Sequence, residues 1–114
     1  MREPQMFEPM IRLLESKGYR ILSVNKGREP GPDITAEHDG HKLVMEMKGD
    51  TAALAVDLGT GAFQLFRYMV PYSDSEYALG LSEAYLRFVR QVEYPLKQPG
   101  IKVFIVDESP HQLW

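Results

Sequence analysis

Cysteine is absent from the 114 residues, which removes disulfides, thiol nucleophiles and thiolate-bound zinc from consideration. No apolar run reaches the roughly 18 residues that a membrane-spanning helix needs. No signal-peptide pattern is seen either, so a cytoplasmic protein with no membrane role is expected. An excess of positive charge is also missing: 13 Lys+Arg against 16 Asp+Glu leave a net charge of −3. A domain that grips nucleic acid by overall charge is usually basic, so any such grip must come from one groove. The three histidines form no acid–base triad with a serine, and no internal repeat or low-complexity tract is visible. The content of 44% hydrophobic and 25% charged residues is that of a globular chain. The length fits one domain over residues 1–114.

What the chain does have is a sharp hairpin signal. Asp39-Gly40 stands between two extended stretches, Pro32–His38 and His41–Lys48, and an Asp-Gly pair accepts the positive φ angles of a two-residue turn. That turn sets the register: His38 faces His41, Glu37 faces Lys42, Ile34 faces Met45, and Asp33 faces Glu46. Facing residues point to one side of the sheet with Cβ atoms about 5 Å apart, and Lys48, two residues past Glu46, shares that side. Leu43, Met45 and Met47 take the other, apolar face. Two carboxylates at about 5 Å repel by roughly 3 kcal/mol at an effective dielectric near 20. A shared proton or a bound cation would remove that cost. Hard oxygen donors beside a lysine suit Mg²⁺ or Mn²⁺ better than zinc. The plain alternative is a solvated sheet face with ordinary charges. Met45-Glu46-Met47-Lys48 is an odd segment for it.

Pro32-Asp33 followed by Glu46-Met47-Lys48 resembles the PD-(D/E)XK signature of the restriction-endonuclease-like nuclease superfamily. The resemblance implies a mixed β-sheet flanked by helices, and a metal-dependent nuclease acting on nucleic acid, DNA first. Asp33 and Glu46 would hold the metal, with the Met47 carbonyl as a further ligand. Lys48 would orient or deprotonate the attacking water and stabilise the transition state. In this superfamily a first-helix glutamate often completes the metal site. Glu8 fits that position best and Glu15 less well, the alternative for Glu8 being a surface acid near a helix N-terminus.

The remaining chain fits the same plan. A helix is expected from Gln5 to Lys17, with Phe7, Met10, Ile11 and Leu14 as its buried stripe. Pro9 is tolerable there if the helix begins near Met6, and Gly18 ends it. Tyr19–Val24 reads as a strand with Leu22 and Val24 on one side. The loop from Asn25 to Pro32 carries Lys26 and Arg28, which could contact phosphates or simply be solvated. His38 and His41 read as exposed turn residues rather than metal ligands. Ala52–Met69 reads as a helix with Leu58, Ala62, Leu65 and Met69 as one stripe and Gly61, Gln64 and Tyr68 as its neighbour. Its glycines would let it sit close to the hairpin. Gly59-Thr60-Gly61 lacks the lysine and the preceding strand of a phosphate-cradling loop.

Gln64 and Tyr68, four apart on one face, resemble the QxxxY motif that follows the E-x-K strand in some superfamily branches. There the glutamine supports the site, and its amide can both donate and accept. Tyr68 is a candidate nucleic-acid contact beside it, and the alternative is a surface glutamine beside a half-buried tyrosine. Arg67 is expected to face solvent.

Tyr77–Leu81 reads as a strand. Ser82 caps a helix with Tyr85, Phe88, Val89 and Val92 on one face, running to Pro95. Ile101–Val106 has the apolar run of a strand covered on both faces, and Asp107–Trp114 reads as a tail. Strand–helix–strand crossovers favour parallel pairing, giving an α/β fold in the order α-β-β-β-α-β-α-β. From Leu58 onward the layout is similar to the XisH-like branch, which is tied to excision of a DNA element. That second resemblance implies an alternative function: a non-catalytic DNA-associated or excision-controlling factor on the same fold. A chain this short covers few base pairs, so cutting both strands would call for a homodimer.

Overall fold

The computed structural model describes residues 1–27 and 29–114. Among these residues six strands form one mixed sheet in the order β1-β2-β3-β4-β5-β6. They are β1 (Arg20–Val24), β2 (Ile34–His38), β3 (His41–Lys48), β4 (Glu76–Ser82), β5 (Ile101–Val106) and β6 (His111–Gln112). β1, β2 and β3 run antiparallel, β3, β4 and β5 parallel, and β6 returns antiparallel on β5. The helices are α1 (Glu3–Ser16), α2 (Leu54–Tyr68), α3 (Leu86–Gln91) and α4 (Glu93–Lys97), with a 3-10 turn at Glu83–Tyr85. The expected α/β architecture, a mixed sheet flanked by helices, is what the chain adopts.

The hairpin turn takes the form its Asp-Gly pair dictates. Asp39 and Gly40 have φ of 51° and 79°, and the pairing runs from His38–His41 to Ile34–Met45 as expected, but it stops there, one rung short of the expected Asp33–Glu46 pair. Side-chain alternation along the sheet then sorts two cores. Met45 and Met47 join Ala78, Phe104 and Val106 beneath Met6, Phe7, Met10 and Leu14 of α1. Leu79, Leu81, Val103 and Ile105 face the other way, against Leu58 and Leu65 of α2 and Tyr85 and Val89. Buried on both sides, β3, β4 and β5 carry the near-continuous apolar runs of central parallel strands.

Several elements depart from the sequence reading. The first helix starts at Glu3, with Pro4 in its first turn and the Arg2 N–H bonded to the Gln5 side chain at 2.9 Å. Pro9 is therefore inside the helix, where it lacks the N–H that would meet a carbonyl one turn back. Burial of Met6, Phe7, Met10 and Leu14 outweighs that loss. In β1 the register shifts between Ile21 and Ser23. This bulge leaves Leu22 and Val24 exposed, while Tyr19 and Ile21 pack on the core. The helix expected from Ser82 to Pro95 is broken at Val92, which is partly exposed, and Pro95 lies inside α4. The expected tail turns back as β6. It is fixed by Leu113 N–H to the Val103 carbonyl at 2.7 Å and by the Trp114 indole N–H to the Ile101 carbonyl at 2.8 Å.

Candidate functional site

The hairpin frays into a cleft at the end of β2. Beyond the Ile34–Met45 pair, the backbone partner of β3 gives way to a side chain: the Met47 N–H donates to Asp33 Oδ2 at 2.7 Å. Asp33 is thereby aimed at the neighbourhood of Glu46, whose residue is 6% exposed. Asp33, Glu46, Gln64, Arg67, Tyr68 and Tyr72 line this cleft, together with residues of the loop over 25–31; its volume is about 560 Å³. The Tyr68 hydroxyl donates to Glu46 Oε1 over a long 3.4 Å. Tyr72 stands edge-on to Tyr68, with centroids 5.9 Å apart.

The electrostatics of this pair are those of two acids competing for little solvent. Burial, reinforced by the Asp33 charge, pushes the Glu46 carboxyl up to about 7, against the opposing pull of Lys48 and the Tyr68 hydroxyl. Asp33 is also raised by burial, although the Met47 N–H and Lys48 pull it down. Tyr68 is pushed up to about 12 by burial and by the negative charge of Glu46 and Asp33. Lys48 is part of none of the ion pairs among the described residues, yet its charge favours ionisation of both acids. It lines an adjoining hollow with Glu3, Gly49, Asp50, Thr51 and Asp57. A Cβ built on Gly61 of α2 would come within 3.4 Å of Lys48 Cγ, so the missing side chain lets α2 lie along the lysine stem.

The remaining expected site residues fall in different places. Gln64 lines the cleft beside the two carboxylates. Glu8 does not: it lies on the exposed side of α1, ion-paired to Arg12 at 2.7 Å, and borders a separate depression. Glu15 is exposed too. The α1 carboxylate near the site is Glu3, raised by burial and by the Asp33 charge and eased by Lys48. Glu3 reaches the site because Gly49 lets the first turn of α1 cross the end of β3: an added Cβ there would lie 2.1 Å from the Glu3 nitrogen. Sequence reasoning missed Glu3 by starting the helix too late, and the Pro4 signal could have found it. Lys26 turns toward α1, its Nζ 5.8 Å from the centre of the Phe7 ring, so among the described residues the basic side chain lining the cleft is that of Arg67. Arg28 lies outside the described residues.

The donor set bears on a metal. No group of three or more His, Asp or Glu positioned to hold an ion occurs among the described residues. Asp33 and Glu46 offer two hard carboxylates whose mutual repulsion a cation would relieve. Any other ligands would be a backbone carbonyl and water, a mix that suits Mg²⁺, which keeps several of its waters.

A search of solved structures gives two matches with this architecture. One is an XisH family protein from Nostoc punctiforme PCC 73102, with a TM-score of 0.64 and 18% identity over 90% of each chain. The other is an FdxN element excision controlling factor protein from Anabaena variabilis, with a TM-score of 0.63 and 19% identity over 90% of this chain and 89% of that one. The chain shares the XisH fold. At this identity the likeness concerns the fold alone. No protein-family model matches the sequence, and no curated protein does. No helix among the described residues is long and apolar enough to cross a membrane.

Proposed function

We propose that this chain is a Mg²⁺- or Mn²⁺-dependent nuclease that hydrolyses phosphodiester bonds in nucleic acid, with DNA as the favoured substrate. The observation that carries the reading is the half-buried Asp33 beside the buried Glu46, with burial and the Asp33 charge raising the Glu46 carboxyl to about 7 and Lys48 on the same side of β3. Perturbed carboxylates converging in a cleft mark functional sites. Asp33 and Glu46 would hold the cation. The Met47 carbonyl is a further candidate ligand, because a strand residue sends its N–H and C=O to the same edge. A cation there would supply a polarised water and offset charge on the phosphate. Lys48 would orient that water and meet the developing negative charge. Gln64 would position the lysine or a phosphate oxygen, and Tyr68 would fix the Glu46 carboxylate. Arg67, at the cleft rim, would contact the backbone of the nucleic acid.

The reading is tested by Lys48→Ala. Cleavage should be lost, while the fold and stabilisation by millimolar Mn²⁺ survive. Equal cleavage by variant and wild type would remove Lys48 from the mechanism.

A second reading has its own support: the same fold acting without catalysis, as a DNA-associated or excision-controlling factor. The net charge of −3, and a structural neighbour that is itself described as an excision controlling factor, favour it. Such a protein should show no chelator-sensitive cleavage of any nucleic acid and no stabilisation by divalent cations.

A further inference from the structure

The outward face of α2 is built the wrong way round for a helix facing water. An amphipathic surface helix puts polar residues outside. Here Val56, Phe63 and Phe66 of α2 are 68%, 59% and 47% exposed, and Val70, in the turn that continues from its C-terminus, is 82% exposed. With Gly59 they recur at spacings of three, four, three and four, the seam of a helix that packs against another helix. No acid interrupts the stripe, and Thr60 and Arg67 rim it on the side toward the cleft. Taking about 150–200 Å² for each side chain, these exposed fractions amount to roughly 400 Å² of apolar surface. That is the size of the largest apolar patch on a typical monomer, which is often functional; its regular helical spacing is what sets this one apart.

We propose that this face is where a second copy of the chain docks, its α2 antiparallel to the first. The pattern is complementary to itself under a twofold axis passing near Phe63. In that register Phe63 meets Phe63 of the second copy, and Val56 lies opposite Val70. Gly59, where an added Cβ would meet nothing within 4 Å, lies opposite Phe66 and Arg67. A large side chain thus faces a vacant position on each side of the axis. Beyond Val56, a concavity of about 260 Å³ is lined by Ala52, Ala53, Ala55, Arg87 and Phe88. The register carries Val70 of the second copy, the most exposed of the four apolar side chains, toward it. The two stripes together contribute roughly 800 Å². The flanking Ala55, Thr60, Arg67 and the two concavities would add to this, toward the ~1,200 Å² at which specific interfaces begin. An isologous twofold pairing of this kind is the commonest closed assembly.

The geometry also relates the two sites. In an antiparallel helix pair the twofold axis is perpendicular to the plane of the helices, so whatever lies on one flank of α2 recurs on the same flank of the other. Gln64 and Tyr68 occupy the flank nearest the cleft, so both clefts open to one side of the dimer, toward the two strands of one duplex. This last step rests on the proposed nuclease reading; the pairing does not.

Sedimentation equilibrium of the metal-free protein at tens of micromolar tests the pairing. The expected mass is about 26 kDa, twice the 13.0 kDa of the chain. Phe63→Glu, which sets like charges against each other on the axis, should give the single-chain mass with an unchanged circular dichroism spectrum. The absence of native cysteine provides a second readout. Phe63→Cys should be cross-linked by a short bismaleimide, whereas Val92→Cys, at a partly exposed site off α2, should not. A monomeric wild type, a Phe63→Glu variant that keeps the dimer mass, or equal cross-linking of both cysteine variants would overturn the proposal. A stripe reserved for a different protein would show as the monomeric wild type. A dimer that fails to cleave nucleic acid would leave the interface standing and remove only the nuclease reading.

Discussion

Asp33 accepts the Met47 N–H at 2.7 Å, so a side chain takes over where the backbone of β2 has left β3. One contact therefore closes the sheet ladder and aims a carboxylate at Glu46. Asp33→Asn separates the two roles. The amide oxygen can still accept the N–H, so the fold should survive with a loss of no more than about 1 kcal/mol. The negative charge beside Glu46 is removed, so the Glu46 carboxyl should titrate below about 7, as followed by carboxyl-selective NMR. Cleavage should disappear. A Glu46 titration unaffected by Asp33→Asn would show that the two acids do not interact.

Stability should depend on pH in a direction set by these raised acids. Glu46 rises from 4.5 unfolded to about 7 folded, so the folded chain holds its proton more tightly. The resulting stability is fully present below about pH 4.5 and is lost as pH climbs through 7. Its size is on the order of 3 kcal/mol at most. Urea unfolding across this range should show the fall. Glu46→Gln should flatten it, and millimolar Mg²⁺ should offset it increasingly toward pH 7 and above. A wild type that gains stability over this interval would contradict the assignment.

Tyr68→Phe removes a hydroxyl that favours ionised Glu46. The acid limb of the pH–rate profile should move to higher pH, with cleavage reduced rather than abolished. A profile identical to the wild type would limit Tyr68 to packing.

Two buried glycines should respond unequally to alanine. At Gly49 the added Cβ would lie 2.1 Å from backbone nitrogen of Glu3; at Gly80 it would meet the flexible ends of Met47, Met10 and Met45 at 2.5, 2.9 and 3.2 Å. Methionine can move aside, whereas the first turn of α1 cannot do so cheaply. Gly49→Ala should cost about 3 kcal/mol and Gly80→Ala about 1 kcal/mol, measured by denaturant unfolding. The reverse order would mean that α1 does not bear on β3 at this point.

What could be read from the amino acids was whatever short-range chemistry dictates. Asp39-Gly40 set the hairpin register, and with it the approach of Asp33 to Glu46. The apolar run Ile101–Val106 marked a central strand to the residue. Helical spacing put Gln64 and Tyr68 on one face, and the resemblance to the QxxxY motif implied their place beside the carboxylates, where both line the cleft. What escaped depended on tertiary contacts. Glu3 comes near the site only because Gly49 admits the first turn of α1. β6 is two residues long, too short for an alternating pattern, and its anchors, the Leu113 N–H and the Trp114 indole, bond to backbone carbonyls. The break at Val92 interrupts an otherwise regular helical stripe because Val92 itself stays partly exposed.

The central claim is tested most directly by incubating labelled single-stranded, duplex and branched DNA with wild type and Glu46→Gln side by side, with Mg²⁺, with Mn²⁺ and with chelator. Cleavage is expected from the wild type with either cation, none with chelator, and none from Glu46→Gln under any condition. Cleavage that survives chelation, or that both proteins perform equally, would contradict that claim, as would intact DNA in every wild-type lane.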